Sequence, residues 1–217
     1  HNWKECELNV KGYNNAIFKK FKNKEDAEYF LKNGIEPKKI ILDLKIKNNI
    51  ICEDEIPKGI NVFTDGSRIL KNKKNYGGYG IYFGENDIRN RQEPYIDEEI
   101  TNNRAELFAI LQSLKILKNE IDKKEVINIF TDSEYSIKSV TIWYKKWEKE
   151  KWEDNQGNQR KNIDYIKPIS NILEKNRNIN IKHVYSHTNK KDFLSVGNDK
   201  ADKFAVSGAE KSLNNTI

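Results

Sequence analysis

The stretch Val126-Ile127-Asn128-Ile129-Phe130-Thr131-Asp132-Ser133 decides the fold. Its nearly unbroken apolar run predicts a central strand covered on both faces, because a strand with one wet face would alternate apolar and polar residues. Working outward on the C-terminal side, spacing predicts a helix over 133–149, a second over 163–174, a strand over 179–185 and a last helix over 196–207. On the N-terminal side, strands are expected at 60–64, 78–83 and near 93–96, followed by a helix over 102–118. Three strands, a helix, then alternating strand and helix make an α/β domain with a mixed five-stranded sheet and helices on both faces.

The larger domain therefore begins at Ile60 and takes in residues 60–217. Ahead of it, residues 1–34 carry helical spacing from Trp3 to Val10, a turn at Gly12, a short strand around Ala16 to Phe21 and a second helix ending at Gly34. This small α+β module is too short to be very stable alone. Residues 35–59, with alternating Leu42, Leu44 and Ile46 and the acidic Glu53-Asp54-Glu55, read as a linker that adds at most one strand.

Of 217 residues, 36% are hydrophobic and 33% charged, and 39 Lys and Arg stand against 33 Asp and Glu, a net charge of +6. The mild basic excess favours a polyanionic partner acting through local patches. The longest apolar runs, such as Ile40-Ile41-Leu42, fall far short of the roughly 20 residues of a bilayer-crossing helix, so no membrane partner is expected. Two cysteines, Cys6 and Cys52, argue against a disulfide framework and for a reducing, cytoplasmic setting. No secretory leader opens the chain, and with no methionine in it, an N-terminus trimmed from a longer protein is expected.

Three acids stand where elements would aim them at one point. Asp65 follows Asn61-Val62-Phe63-Thr64, Asp132 ends Ile129-Phe130-Thr131, and Glu106 lies one turn inside the helix opened by Thr101-Asn102. Asp202 lies in the last helix, with Asp199 one turn away competing for the same place. Taken singly, Asp132-Ser133 is a good helix cap and Asp65-Gly66 a good turn. Taken together, converging carboxylates repel one another unless a divalent cation sits among them, and oxygen-only ligands suit Mg2+ or Mn2+.

The strings around these acids resemble ribonuclease H of type 1: Phe63-Thr64-Asp65-Gly66-Ser67, Thr101-Asn102-Asn103-Arg104-Ala105-Glu106-Leu107, Phe130-Thr131-Asp132-Ser133, and His187 followed by Gly197-Asn198-Asp199-Lys200-Ala201-Asp202. The resemblance covers nearly all of residues 60–210 and implies a ribonuclease H-like fold. It also implies Asp65, Glu106, Asp132 and Asp202 as ligands of two Mg2+ ions, with Mn2+ as a substitute, and His187 as a mobile histidine assisting proton transfer or product departure. His183, on the strand before it, reads as structural. The reaction implied is in-line hydrolysis of the RNA strand of RNA/DNA hybrids, leaving 5′-phosphate and 3′-hydroxyl ends, by a monomeric enzyme.

By the same resemblance Asn102 and Asn103 contact the RNA near its 2′-hydroxyls, and Thr101 and Asn162 hold a phosphate of the DNA strand. Trp143 and Trp147, with Tyr135, line a channel for the deoxyribose strand in a lysine-rich protrusion, while aromatic residues at i and i+4 are equally at home in helix packing. Glu148 and Glu150 dilute that protrusion's charge, and Glu99 stands near Thr101 where some relatives have a basic residue. The front module looks like the hybrid-binding, or viroplasmin-like, domain that precedes many ribonucleases H, which makes Trp3, Lys19 and Lys20 its duplex contacts. Two rivals remain: a hybrid-binding protein with an inert nuclease, against which all four acids speak, and the ribonuclease H portion of a retroelement polyprotein, which the front module disfavours.

Overall fold

The computed structural model describes Lys11, residues 56–186 and residues 191–215. The chain divides into two units, His1–Ile50 and Ile51–Ile217. Of the front-module residues named above, Trp3, Lys19 and Lys20 lie outside the described residues, as does His187.

The second unit is built on strands β1 (Ile60–Lys71), β2 (Lys74–Tyr82), β3 (Arg91–Tyr95), β4 (Ile127–Thr131) and β5 (Ile179–His183), with sheet order β3-β2-β1-β4-β5. β1, β2 and β3 form an antiparallel meander, and β4 and β5 join it in parallel, so the sheet is mixed as the sequence predicts. Helix α1 (Asn102–Ile116) and the short α2 (Lys118–Asp122) connect β3 to β4. After β4 come α3 (Glu134–Lys138), a π-helical turn (Ser139–Trp143), α4 (Tyr144–Lys149) and α5 (Ile163–Lys175), and after β5 the long α6 (Phe193–Asn214).

All five residues of β4 are buried, as a central strand requires. Because successive side chains on a strand point to opposite faces, β1 and β4 feed two cores. Val62 and Ile129 pack with Leu107 and Ile110 of α1 and Ile166 and Ile169 of α5. Phe63 and Phe130, their rings stacked at 4.9 Å, pack with Ala201 of α6 on the other face. The helices therefore cover both faces of the sheet.

Several elements depart from the sequence reading, among them the last helix, expected over 196–207 and found over Phe193–Asn214. β1 does not end at Thr64: it runs through Asp65 to Lys71 and pairs with a β2 that begins at Lys74. The strand expected at 60–64 stops before Asp65, yet Asn72 and Lys73, both at positive φ, make the tight turn a long hairpin needs. The helix expected over 133–149 is three pieces, because a π-helical turn replaces α-helix from Ser139 to Trp143.

Gly80 explains how α6 is seated. A Cβ there would come within 2.0 Å of the Ala201 carbonyl oxygen, so only glycine lets the helix backbone lie on β2. Gly80 pairs directly with Asp65 across the hairpin, so this close approach brings the α6 segment around Ala201 and Asp202 to the acid of β1.

Candidate active site

Register builds the centre of the site. β1 and β4 are parallel with Phe63 opposite Phe130, so two residues further on Asp65 and Asp132 stand side by side at the point where β4 ends. The third acid comes from α1. Thr101 caps that helix, its hydroxyl accepting from the Arg104 amide at 3.2 Å. Glu106 then falls one turn into the helix, facing the sheet.

Gly66 lets it arrive. A Cβ at Gly66 would meet the Glu106 amide nitrogen at 2.2 Å and the Ala105 carbonyl carbon at 2.4 Å, so the first turn of α1 rests on bare backbone next to Asp65. Carboxylate oxygens of Asp65, Glu106 and Asp132 consequently lie within 4.8 Å of one another. Asp202 stands outside that triplet but close enough for its negative charge to bear on Asp65. Asp132 is not the cap of the following helix: Ser133 takes that place, accepting from the Ser136 amide at 3.3 Å, and the Asp132 side chain is left to the cluster.

The cluster is electrostatically strained without a counter-charge. Burial pushes the Asp65 carboxyl up from 3.8 to about 7, and the charges of Asp132 and Asp202 push the same way, against hydrogen bonds from Glu106 and the Gly66 amide. Burial also raises the Glu106 carboxyl well above its ordinary value, with the Asp65 charge second. Thr131 Oγ1 donates to Glu106 Oε2 at 3.4 Å, a long contact that leaves most of the carboxylate's acceptor capacity open. Four acids with oxygen donors only, two of them buried, fit a divalent cation of the Mg2+ or Mn2+ kind.

A carboxyl whose folded-state pKa is raised stabilises the fold below its unfolded value and loses that contribution as pH climbs through the folded one. In EDTA the protein should therefore lose stability between about pH 4 and pH 8. A rise from 3.8 to about 7 opposes folding by about 4 kcal/mol at alkaline pH. Asp65→Asn should melt several degrees above the unaltered protein at pH 8 in EDTA, with the gap narrowing by more than half at pH 5. Thermal melts at the two pH values check this; superimposed curves at both would contradict it.

Around the acids the polar and aromatic residues fall into two groups. Asn102 and Asn103 are exposed at the start of α1, whose other residues are almost all buried or half-buried. Asn162 sits just before α5 in a left-handed conformation, φ 62°, and donates to the Tyr135 hydroxyl at 2.8 Å. Tyr135 meets Trp143 edge-on at 6.0 Å, and Trp143 meets Trp147 at 5.7 Å. Trp143 is 36% exposed, whereas Trp152 is buried in the core. Trp147 is half-buried with the Arg160 guanidinium 5.2 Å over its ring. His183 Nε2 lies 3.1 Å from the Asp132 backbone oxygen, joining β5 to the end of β4.

Sequence reasoning missed Arg104. It is buried, and its guanidinium forks onto both Asp164 oxygens at 3.0 and 2.6 Å, reaches Asp97 at 2.7 Å and donates to the Tyr95 hydroxyl at 3.2 Å. The available signal was a charged residue three before Leu107, on the face of α1 that must be buried.

A family described as RNase H matches residues 57–210, and one described as the ribonuclease H1 N-terminal domain matches residues 1–31. Ribonuclease H of Schizosaccharomyces pombe is 32% identical over 200 residues, 92% of this chain and 66% of that protein. That of Rickettsia typhi is 32% identical over 152 residues, 70% of this chain and 91% of that protein. The chain thus spans about two thirds of the yeast relative and nearly all of the bacterial one. Among solved structures, the foamy viral protease-reverse transcriptase in complex with RNA/DNA hybrid is 25% identical, with a TM-score of 0.56 over 75% of this chain and 22% of that one. The solution structure of the foamy virus RNase H domain, 24% identical with a TM-score of 0.55 over 71% of this chain and 95% of that one, shares the fold.

Proposed function

The chain belongs to the ribonuclease H family, and from that premise we propose that it is an endonuclease hydrolysing the RNA strand of RNA/DNA hybrids with divalent metal ions. The observation that carries this reading is the convergence of Asp65, Glu106 and Asp132 within 4.8 Å, with the charge of Asp202 bearing on Asp65. These four residues would hold two Mg2+ ions, or Mn2+ in their place. When bound, such ions supply an activated water and stabilise the departing 3′ oxygen.

The protein's own residues do the rest. Asp65 and Glu106, raised by burial and mutual repulsion, would have to give up their protons to hold a cation, so affinity for the metal should rise with pH. Asn102 and Asn103, exposed beside Glu106, are set to contact the RNA strand and its 2′-hydroxyls. Thr101 and Asn162 would take a phosphate of the DNA strand, and Tyr135, Trp143 and Trp147 would carry its sugars. The solved viral relative bound to RNA/DNA hybrid supports this choice of substrate. His187 is proposed to assist product departure. The front segment is proposed to grip the duplex through Trp3, Lys19 and Lys20, which would raise the effective concentration of long hybrids at the site.

The end chemistry gives the test. In-line attack by water leaves 5′-phosphate and 3′-hydroxyl ends, so RNA fragments released from a hybrid should be extendable by a polymerase without prior treatment. Fragments ending in a 2′,3′-cyclic phosphate, which block extension, would overturn the metal-assisted mechanism.

A further inference from the structure

Arg104 and its partners occupy the ground between the two groups of proposed contact residues and belong to neither. On one side, Arg104 lies two residues after Asn102 in the same helical turn, its amide held by Thr101. On the other, Asp164 lies two residues after Asn162, in the first turn of α5, whose Tyr165 and Ile166 amides both donate to the Asn162 carbonyl oxygen. Asp97, from the loop after β3, receives Arg104 Nη2 at 2.7 Å, the Tyr165 hydroxyl at 2.6 Å and the Tyr95 hydroxyl at 2.5 Å. The Arg104 guanidinium also lies 4.7 Å over the Tyr165 ring. Burial pulls the Asp97 carboxyl up, and these hydrogen bonds outweigh it, holding Asp97 ionised and below its ordinary value.

An ion cluster whose guanidinium is buried and whose Asp164 side chain is half exposed is a poor choice for stability alone, since the arginine loses hydration that an apolar side chain of similar volume would not. What it adds is geometry. Apolar surfaces tolerate sliding, whereas a planar fork bonded to both oxygens of one carboxylate fixes distance and angle together. Building on the function proposed above, we propose that Arg104 is a positioning residue: through Asp164 and Asp97 it fixes the spacing between the start of α1, which carries Thr101, Asn102 and Asn103, and Asn162 at the start of α5. It thereby sets the width of duplex that both strands' contacts can grip at once. Glu106 is seated separately, by the contact of α1 with Gly66, so the chemistry depends on Arg104 less than substrate binding does.

The test compares kcat and KM on an RNA/DNA hybrid for the full chain carrying Arg104→Lys, Asp164→Asn or Asn162→Ala, and for the Arg104→Lys/Asn162→Ala pair, all well below their melting temperatures. Arg104→Lys keeps the charge and loses the fork; it should raise KM about tenfold while kcat changes less than about threefold. In the Asn162→Ala background the same change should raise KM by no more than about twofold, because the contact it positions is already gone. If Arg104→Lys does not fold, Asp164→Asn, whose side chain is 50% exposed, carries the same expectation. An unchanged KM with a lowered melting temperature, or effects that multiply in the double variant, would overturn the proposal and leave Arg104 a structural residue. Failure of the unaltered protein to cut any hybrid would overturn the proposed function and this inference with it; normal cutting with variants of unchanged KM would overturn the inference alone.

Discussion

Asp132→Asn should leave a folded protein that binds hybrid and cuts it at least about 1,000-fold more slowly. Asp132 stands at the C-terminal end of β4, only partly buried, with its carboxylate in the group that spans 4.8 Å. The amide has the same size and cannot supply the negative charge a divalent cation requires. It also removes one of the charges that push on Asp65 and Glu106, so the fold should gain stability in EDTA. Single-turnover cleavage with Mg2+ and melts without it measure both parts. Activity within tenfold of the unaltered protein would exclude Asp132 from the chemistry.

Gly66→Ala should be nearly as damaging although it alters no functional group. One methyl at this position would sit 2.2 Å from the Glu106 amide nitrogen, against backbone that cannot rotate away. Either β1 or α1 must shift, and with it the separation of Asp65 from Glu106. We expect a loss of about 100-fold or more in cleavage, in keeping with the cost of misplacing a reacting group by an ångström. Overpacking should also destabilise the fold by about 3 kcal/mol, lowering the melting temperature by roughly 10 °C. Cleavage rate and melting curve measured together distinguish this from simple unfolding: a variant that keeps normal activity would show that α1 does not depend on this contact.

Local pattern was enough to find β4 and the acid after it, because burial on both faces leaves an apolar run that no surface strand has. It was enough, too, for the start of α1, where Thr101 caps the helix and Asn102 and Asn103 stay exposed. What escaped it depends on partners distant in sequence. β1 continues past Asp65 because β2 pairs with it as far as Lys71 and Lys74, and nothing in Ser67-Arg68-Ile69-Leu70, which lacks a strand's alternation, announces that pairing. The π-helical turn at Ser139–Trp143 leaves no break in apolar spacing, so one continuous helix was the natural reading. Gly66 and Gly80 look like ordinary turn and strand glycines until the helices that lie on them are known. Arg104 stands in the string around Glu106 without a role of its own until Asp97 and Asp164, 7 and 60 residues away, close around it.

The account stands most directly on one measurement: cutting of a single labelled RNA strand presented alone, paired to RNA and paired to DNA, each with Mg2+ and with EDTA. It predicts cleavage of the strand paired to DNA, only with the metal present. Cleavage of the free strand or the RNA duplex at equal rates, or cleavage of the hybrid that persists in EDTA, would contradict it.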